Sequence, residues 1–373
     1  MQLIYYSFVK YGGSSGPSVN ETSFVNSLDN SDIKSIKICR GSLPDEINFY
    51  PIRELNNMIF NYLYFCIVGL TKLALCVRKN KNSFIVFRLS PLPISELLFC
   101  LFSSSKFSIK TLGNGLLTWK ENTLLGKLNV KMLRMIATRS HSIDTVSQES
   151  KESIIKELKV NEKKVTVIDN AVDTNMFIPL NKCMARREIG IQEDNVVIGY
   201  TGNLPLKRGG VDVINIVYDL INLHKMNAIG LILGDDIGVS VLKDIAIKKK
   251  LNGKIVFPGR IPFSSIPTYV SALDIGISIL PSSMDGVSGQ KVRQYASCGI
   301  GIISSQKKDI FVEDMGIGEI IPQKQKQKQK ISEAALRLLA KKVDRGRAHT
   351  YAVENLSTKN QLKKRIRCWQ IDI

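Results

Sequence analysis

The stretch VVIGYTGNLPLKRGGVDVINIVYDLINLHK (196–225) decides how this chain is read. It opens on an apolar, partly β-branched run, turns at glycines, and continues with apolar residues at helical spacing. That is the pattern of a strand entering a helix through a tight turn. The turn, GNLPLKRGG (202–210), carries Lys207 and Arg208 just ahead of the helix. Glycines let backbone N–H groups approach a ligand, a helix N-terminus welcomes an anion, and two cations add charge-assisted hydrogen bonds, so the turn suits a diphosphate.

Downstream the alternation continues with a strand and turn in AIGLILGDD (228–236), a helix through VLKDIAIKKK (241–250) and a strand KIVFPG (254–259). A helix SSIPTYVSAL (264–273), a strand IGISIL (275–280) and a cationic helix within DGVSGQKVRQYASCG (285–299) follow, and then the apolar run Ile300 to Ile303. Upstream, strands are expected at QLIYYSF (2–8), SIKIC (35–39), SFIVFRL (83–89), FSIKTL (107–112), SIDTVS (142–147) and KVTVID (164–169). Helical segments lie between them, among them SKESIIKELKV (150–160), with Ser150 and Ser153 as hydroxyl caps. Strand-helix alternation that runs twice along the chain predicts an α/β protein of two Rossmann-like domains with parallel sheets. The expected division is 1–175, a linker over 176–195 containing Pro179, a second domain over 196–350, and a C-terminal helix over 351–373 that crosses back to the first domain.

The 373 residues, 44% of them hydrophobic, suffice for two cores and exclude a disordered chain. Seven cysteines without a C-x-x-C pair indicate neither a disulfide framework nor a zinc site, and point to a reducing interior. The start MQLIYYSFVKYGG reads as a first strand, without the charge and apolar pattern of a signal peptide. The apolar stretch 61–77 falls short of about 20 residues and holds Lys72, so it is expected to be buried or interfacial. The surplus of 52 basic over 33 acidic residues, +19, favours phosphorylated small molecules, anionic lipid or nucleic acid. The chain lacks the aromatic, zinc-finger and zipper signatures of nucleic-acid modules, and no nucleic-acid partner is expected.

Among candidate sites, GGSSGPS (12–18) follows the first strand but has neither G-x-G-x-x-G spacing nor a Walker lysine. Asp235 and Asp236 in LGDD are a lone carboxylate pair, better suited to a strand-end turn than to a metal. His141, His224 and His349 show no ligand spacing, and QKQKQKQK (323–330) reads as a solvated stretch. The cationic start of the helix in 285–299 runs against the usual preference for carboxylates at that end, which suggests an anionic ligand there.

Taken in order, GGSSGPS, TVSQESKESIIKEL, KVTVIDNAVDTNMFIP, GYTGNLPLKRGG, LILGDD, KIVFPGRIPFSSIPTYVSALDIGISILPS and SGQKVRQYASCGIGIISS resemble the retaining glycosyltransferases of family 4. DNAVDTNMF is similar to that family's "NGVDxxxF", and the last segment to its "SPxKxxEYxAxGxPVI". The C-terminal half carries most of the resemblance, and 40–135 matches in outline only.

The resemblance implies the GT-B fold, two Rossmann-like domains facing each other across a cleft, with a nucleotide-diphospho-sugar held by the second. It implies that Gly13 and Gly16 of the N-terminal loop approach the donor and that Arg208 takes the place of the family's phosphate-binding lysine beside Lys207. Arg260 and Ile261 would border the nucleobase, Ser288 and Gly289 would present backbone N–H groups, and Lys291 would add charge. There are departures. Asn203 stands where many members have an arginine, Gln294 where a glutamate binds ribose, and Gly286 in the place of the other glutamate, with Asp285 one residue away. Asn114 is the nearest counterpart of an N-terminal histidine.

On this reading Asp285 and Arg208 are catalytic. The reaction moves a sugar to an acceptor hydroxyl with retention, in cell-surface polysaccharide or glycoconjugate synthesis, with no cofactor and no obligatory metal. The acceptor is a glycan or lipid-linked, and the enzyme is expected in the cytoplasm, peripheral on the inner face of the cell membrane, with Arg78, Lys79 and Lys81 beside anionic lipid. The alternatives are an inactive GT-B partner subunit, motivated by the altered glutamate pair, and a sugar-nucleotide epimerase of the same fold.

Overall fold

In the computed structural model, the strand runs gather into two parallel sheets, each in its own unit of the chain. The structure describes residues 1–12, 16–41, 49–54, 56–111, 123–203, 205–235, 238–281, 289–322 and 328–370.

The first unit contains β1 (Gln2–Lys10), α1 (Gly16–Asp29), β2 (Ser35–Arg40), β3 (Phe49–Ile52), α2 (Met58–Tyr64), α3 (Leu70–Lys79) and β4 (Ser83–Arg88). It continues with α4 (Ile94–Phe102), β5 (Phe107–Lys110), α5 (Leu124–Arg139), β6 (Ile143–Thr145), α6 (Gln148–Leu158) and β7 (Val165–Val167). The sheet order is β3-β2-β1-β4-β5-β6-β7. Strand β1 shows why both faces are covered. Ile4 and Tyr6 point into a cluster with Phe65, Leu73, Leu133 and Ile136, while Leu3 and Tyr5 join Phe24, Leu28 and Trp369 on the other side. Alternate residues of a strand face opposite ways, so apolar residues at both parities demand helices on both faces. Each such buried side chain contributes roughly 1.5–3 kcal/mol.

The second unit holds α7 (Lys182–Glu188), β8 (Val196–Thr201), α8 (Gly210–Asn222), β9 (Ala228–Leu233), α9 (Gly238–Lys248), β10 (Ile255–Gly259) and α10 (Ile266–Ser271). Then come β11 (Ile275–Ser278), α11 (Gln290–Ser297), β12 (Gly301–Ser304), α12 (Phe311–Asp314), β13 (Gly318–Ile320), α13 (Lys328–Lys341) and α14 (Arg345–Tyr351). Its order, β10-β9-β8-β11-β12-β13, is that of a doubly wound sheet. The final helix, α15 (Thr358–Trp369), belongs to the first unit, where Trp369 is fully buried and its indole N–H donates to Asp144 at 3.1 Å.

Four expectations need correction. Strand β3 was not expected, because Pro51 interrupts its short run; at the sheet edge the missing N–H costs no ladder bond. The cap of α6 is Ser147, whose hydroxyl accepts from the Ser150 N–H at 3.1 Å, rather than Ser150 or Ser153. Within 176–195, the expected linker, the chain is held to the second unit, which begins at Val172. Arg186 in α7 is buried and bonds the Ala272 carbonyl, the Glu193 carbonyl and Asp274, which fastens the segment into the second unit. Lastly, α2, a π-helical turn (Phe65–Gly69) and α3 form one continuous 22-residue helix, Met58–Lys79, which by length and composition could cross a membrane. Phe65, Leu73 and Cys76 pin one of its faces to the core, while Phe60, Leu63, Ile67 and Leu75 lie exposed.

Candidate functional site

In a doubly wound sheet, ligands bind beyond the carboxyl ends of the strands, where the strand order reverses. In the second unit that point lies between β8 and β11. Three turns line up along this edge. The Gly202 N–H donates to the Leu233 carbonyl and the Gly234 N–H to the Gly259 carbonyl, and a Cβ on Gly234 would come within 2.1 Å of the Gly202 carbonyl oxygen. Gly202, Gly209 and Gly234 have φ of +122°, +120° and +127°, which side chains strongly disfavour.

Lys291, in the first turn of α11, reaches this edge. Its ammonium lies 3.5 Å from the centroid of the Tyr200 ring, and a Cβ on Gly202 would be 3.8 Å from it. The side chain is 8% exposed, and its Nζ is buried without a hydrogen-bond partner among the described residues. Burial, and then repulsion from Arg208, push the ammonium well below the ordinary lysine value. Arg208 is half-buried, and its Nε likewise is buried with no partner among the described residues. A ring face contributes about 0.5–2 kcal/mol to a cation, less than the cost of taking an ammonium out of water. Two neighbouring cations with donors unused among the described residues have the chemistry to receive an anion.

The surroundings fix this geometry. The Tyr295 hydroxyl, one helical turn after Lys291, accepts from the Thr201 N–H at 2.9 Å and the Thr201 hydroxyl at 3.1 Å, tying α11 to the end of β8. The Tyr295 ring lies where a Cβ on Gly276 would approach to 2.5 Å, so the close approach of helix and sheet requires glycine there. The Tyr200 hydroxyl donates to the Asn203 carbonyl at 2.6 Å and shapes the turn after β8. Arg293 is fully buried; its guanidinium donates to the Gly289 carbonyl at 3.1 Å and to Asp309 at 2.8 Å. Asp309 also accepts from the Ser304 hydroxyl at 2.6 Å.

Of the residues singled out from the sequence, the structure brings together Arg208, Lys291 and the turn of Asn203, with Gly289 immediately ahead of α11. Gln294 is buried, three residues on from Lys291, on the same side of the helix. Lys207 and Asn203 are exposed in the turn. Arg260 and Ile261 directly follow β10, whose last carbonyl meets Gly234, so they border the same edge. Gly16 opens α1 and belongs to the first unit. Gly13, Asn114, Asp236, Asp285, Gly286 and Ser288 lie outside the described residues.

Arg293, two residues on from Lys291, is not a solvated charge but the internal tie of the cationic helix start. Tyr200 and Tyr295 went unnoticed. The spacing of Tyr295, four residues after Lys291, was the available signal. Among the described residues, no group of three or more His, Cys, Asp and Glu side chains is placed to hold a metal ion. His141 and His349 bond to Gln370 and to the Ser297 carbonyl.

No protein-family model matches the chain. It is 30% identical over 151 residues to the O-antigen biosynthesis glycosyltransferase WclY of Escherichia coli, a match spanning 40% of this chain and 39% of that protein. The chain thus matches about two fifths of the curated relative's length. Among solved structures, a glycosyltransferase from Rickettsia africae superposes with a TM-score of 0.77 at 18% identity, covering 99% of this chain and 98% of the other. HepE of Anabaena, solved in complex with UDP, gives 0.72 at 14% identity, covering 98% and 100%. The fold is therefore that of the GT-B glycosyltransferases, two α/β units with parallel sheets.

Proposed function

We propose that this chain is a nucleotide-sugar-dependent glycosyltransferase that moves a sugar to an acceptor hydroxyl with retention at the anomeric carbon, in the assembly of a cell-surface polysaccharide. The observation that carries this reading is the buried Lys291 ammonium, without a hydrogen-bond partner among the described residues, beside Arg208 at the reversal point of the second sheet. Similarity to an O-antigen glycosyltransferase and likeness of fold to a UDP complex support it.

On this reading the donor diphosphate lies against Lys291, Arg208 and the turn 202–209, with Gln294 toward the ribose and Arg260 and Ile261 toward the base. As the bond from the anomeric carbon to the phosphate oxygen breaks, negative charge grows on the departing diphosphate. Fixed cations and backbone N–H groups stabilise that charge without having to reorganise. The acceptor oxygen bonds to the anomeric carbon on the face the diphosphate leaves, and its proton passes to the departing phosphate, so no base of the protein is required. Asp285 would hold hydroxyls of the transferred sugar.

The reading also gives a place to the exposed apolar surface of the first unit. Phe60 and Ile67 on the long helix, Phe102 on α4 and Leu124 and Leu128 on α5 are all exposed, and α4 packs against both α3 and α5. Arg78, Lys79, Lys81, Lys127 and Lys131 lie exposed on the same elements or beside them. An apolar face flanked by cations suits an anionic membrane surface that carries a lipid-linked acceptor.

A thermal-shift screen of nucleotide-diphospho-sugars tests the donor site, since a ligand bound only by the folded state raises the melting temperature. The matching donor should lose its shift in Arg208→Ala, and proton NMR of the product should show the donor's anomeric configuration. Binding of a donor without turnover, across acceptors, would favour the inactive subunit. Interconversion of the free donor would favour the epimerase.

A further inference from the structure

The first unit has a second place where a buried ammonium has no ion-pair partner among the described residues. Lys110 ends β5 and is 3% exposed, and its ammonium makes no hydrogen bond or ion pair among the described residues; the face of Phe24, 4.6 Å from that ammonium, is its polarisable neighbour. The ionic groups packed around it are otherwise matched. Glu21 on α1 pairs with Arg88 on β4 and accepts from the Tyr5 hydroxyl on β1. Asp144 on β6 pairs with Arg365 on α15 and accepts from Trp369. Lys37 on β2 pairs with Asp29. Glu21 and Asp144 each face an arginine, with the Glu21 Oε1 buried and without a hydrogen-bond partner among the described residues, so the protonated amine leaves one positive charge over in this cluster.

Beside that amine a small pocket opens, lined by Asn20, Ser23, Lys110, Asn170, Thr358 and Arg365. The lining is rich in donors and contains no carboxylate. Ala171 and Thr358, by which the chain leaves and re-enters the first unit, also line it. Burial of the amine, followed by repulsion from Arg88, lowers the lysine to about 7, and the attraction of Glu21 and Asp144, each already facing an arginine, offsets only part of that.

We propose that this pocket binds a small inorganic anion, of the size of chloride to phosphate, against Lys110, Arg365 and the amide and hydroxyl donors around them. The anion would complete the charge balance of this cluster and hold α1, β5 and the start of α15 together. The site lies wholly within the first unit and is independent of the Lys291 site, so either can fail without the other.

The test uses the full chain in buffer whose salt is sodium gluconate, too bulky for the pocket. Replacing gluconate by chloride, bicarbonate or phosphate at constant ionic strength should raise the melting temperature by about 2–4 °C, saturably at millimolar anion. Which of the three acts at the lowest concentration identifies the natural occupant. The gain should be larger at pH 6 than at pH 9, since only the protonated amine pairs with an anion, and Lys110→Met should abolish it. An equal gain in Lys110→Met would assign it to general salt effects and overturn the proposal. Crystals of the wild-type chain soaked in bromide keep the test independent of the variant's folding: an anomalous peak beside the Lys110 Nζ is expected, and its absence would overturn the site.

Discussion

Arg293 and Asp309 lie 2.8 Å apart, 0% and 1% exposed at their side chains, and they join the first turn of α11 to the loop after β12. The same guanidinium holds the Gly289 carbonyl, so the helix start that carries Lys291 hangs on a buried ion pair. Removing one partner strands the other charge in the interior. Arg293→Met should therefore destabilise the chain by about 3–5 kcal/mol in chemical denaturation, and Arg293→Met with Asp309→Asn should recover part of that loss. Equal stability of the single and double variants would show that the pair is not linked as the structure has it.

Lys291 predicts the opposite balance. Its ammonium is buried and unpaired among the described residues, so Lys291→Met removes a desolvated charge and keeps the stem that packs on Tyr200. The variant should melt at or above the wild-type temperature without ligand, and should lose the shift produced by the matching nucleotide-sugar. A lower melting temperature together with an undiminished shift would make Lys291 a structural lysine.

How far the site was legible in the sequence can be seen along α11. The strands and the glycine turn of 196–225 followed from local pattern, since a parallel strand buried on both faces is a continuous apolar run. Lys291 and Arg208 stood out as charges at strand-to-helix turns. Arg293 did not, because nothing local distinguishes a solvated arginine from one whose partner, Asp309, lies 16 residues on behind a strand. Strands β3 and β13 escaped for a related reason: four and three residues at the sheet edges are ordered by their neighbours more than by their own pattern. The long helix was misjudged in length because its outer face is apolar, and exposure, unlike period, cannot be read from one strand of sequence.

Lys110 gives a pH signature. Its folded value of about 7 lies below that of an unfolded lysine, about 10.4. Between those values the unfolded chain binds more protons, so this group's contribution to stability rises with pH from about 7 and is least favourable below it. Cys39 and Tyr5, both held above their ordinary values by burial and by Glu21, act the other way at alkaline pH. Their effect cancels when wild type is compared with Lys110→Met. In gluconate buffer the stability difference between the two chains should narrow as pH rises from 6.5 to about 9. A difference independent of pH would mean that the amine is not desolvated.

The membrane contact proposed for the exposed apolar face of the first unit is open to direct test. Phe102 and Leu124 are 86% and 85% exposed, far more than a large side chain gains by facing water. On α5, Leu124, Leu128 and Met135 share a face with Lys131, whose stem can lie along apolar surface while its ammonium stays among headgroups. Co-sedimentation should be strong with vesicles containing anionic phospholipid and weak with neutral ones, and should fall with salt, because binding joins apolar insertion to attraction. Phe102→Ser with Leu124→Ser should reduce binding about tenfold or more at unchanged stability, since each lost apolar contact is worth up to roughly 1.5–3 kcal/mol and neither residue is in the core. Charge reversal at Lys127 and Lys131 should weaken binding to anionic vesicles only. Retention of full vesicle binding in the serine variant would move the membrane contact elsewhere on the chain.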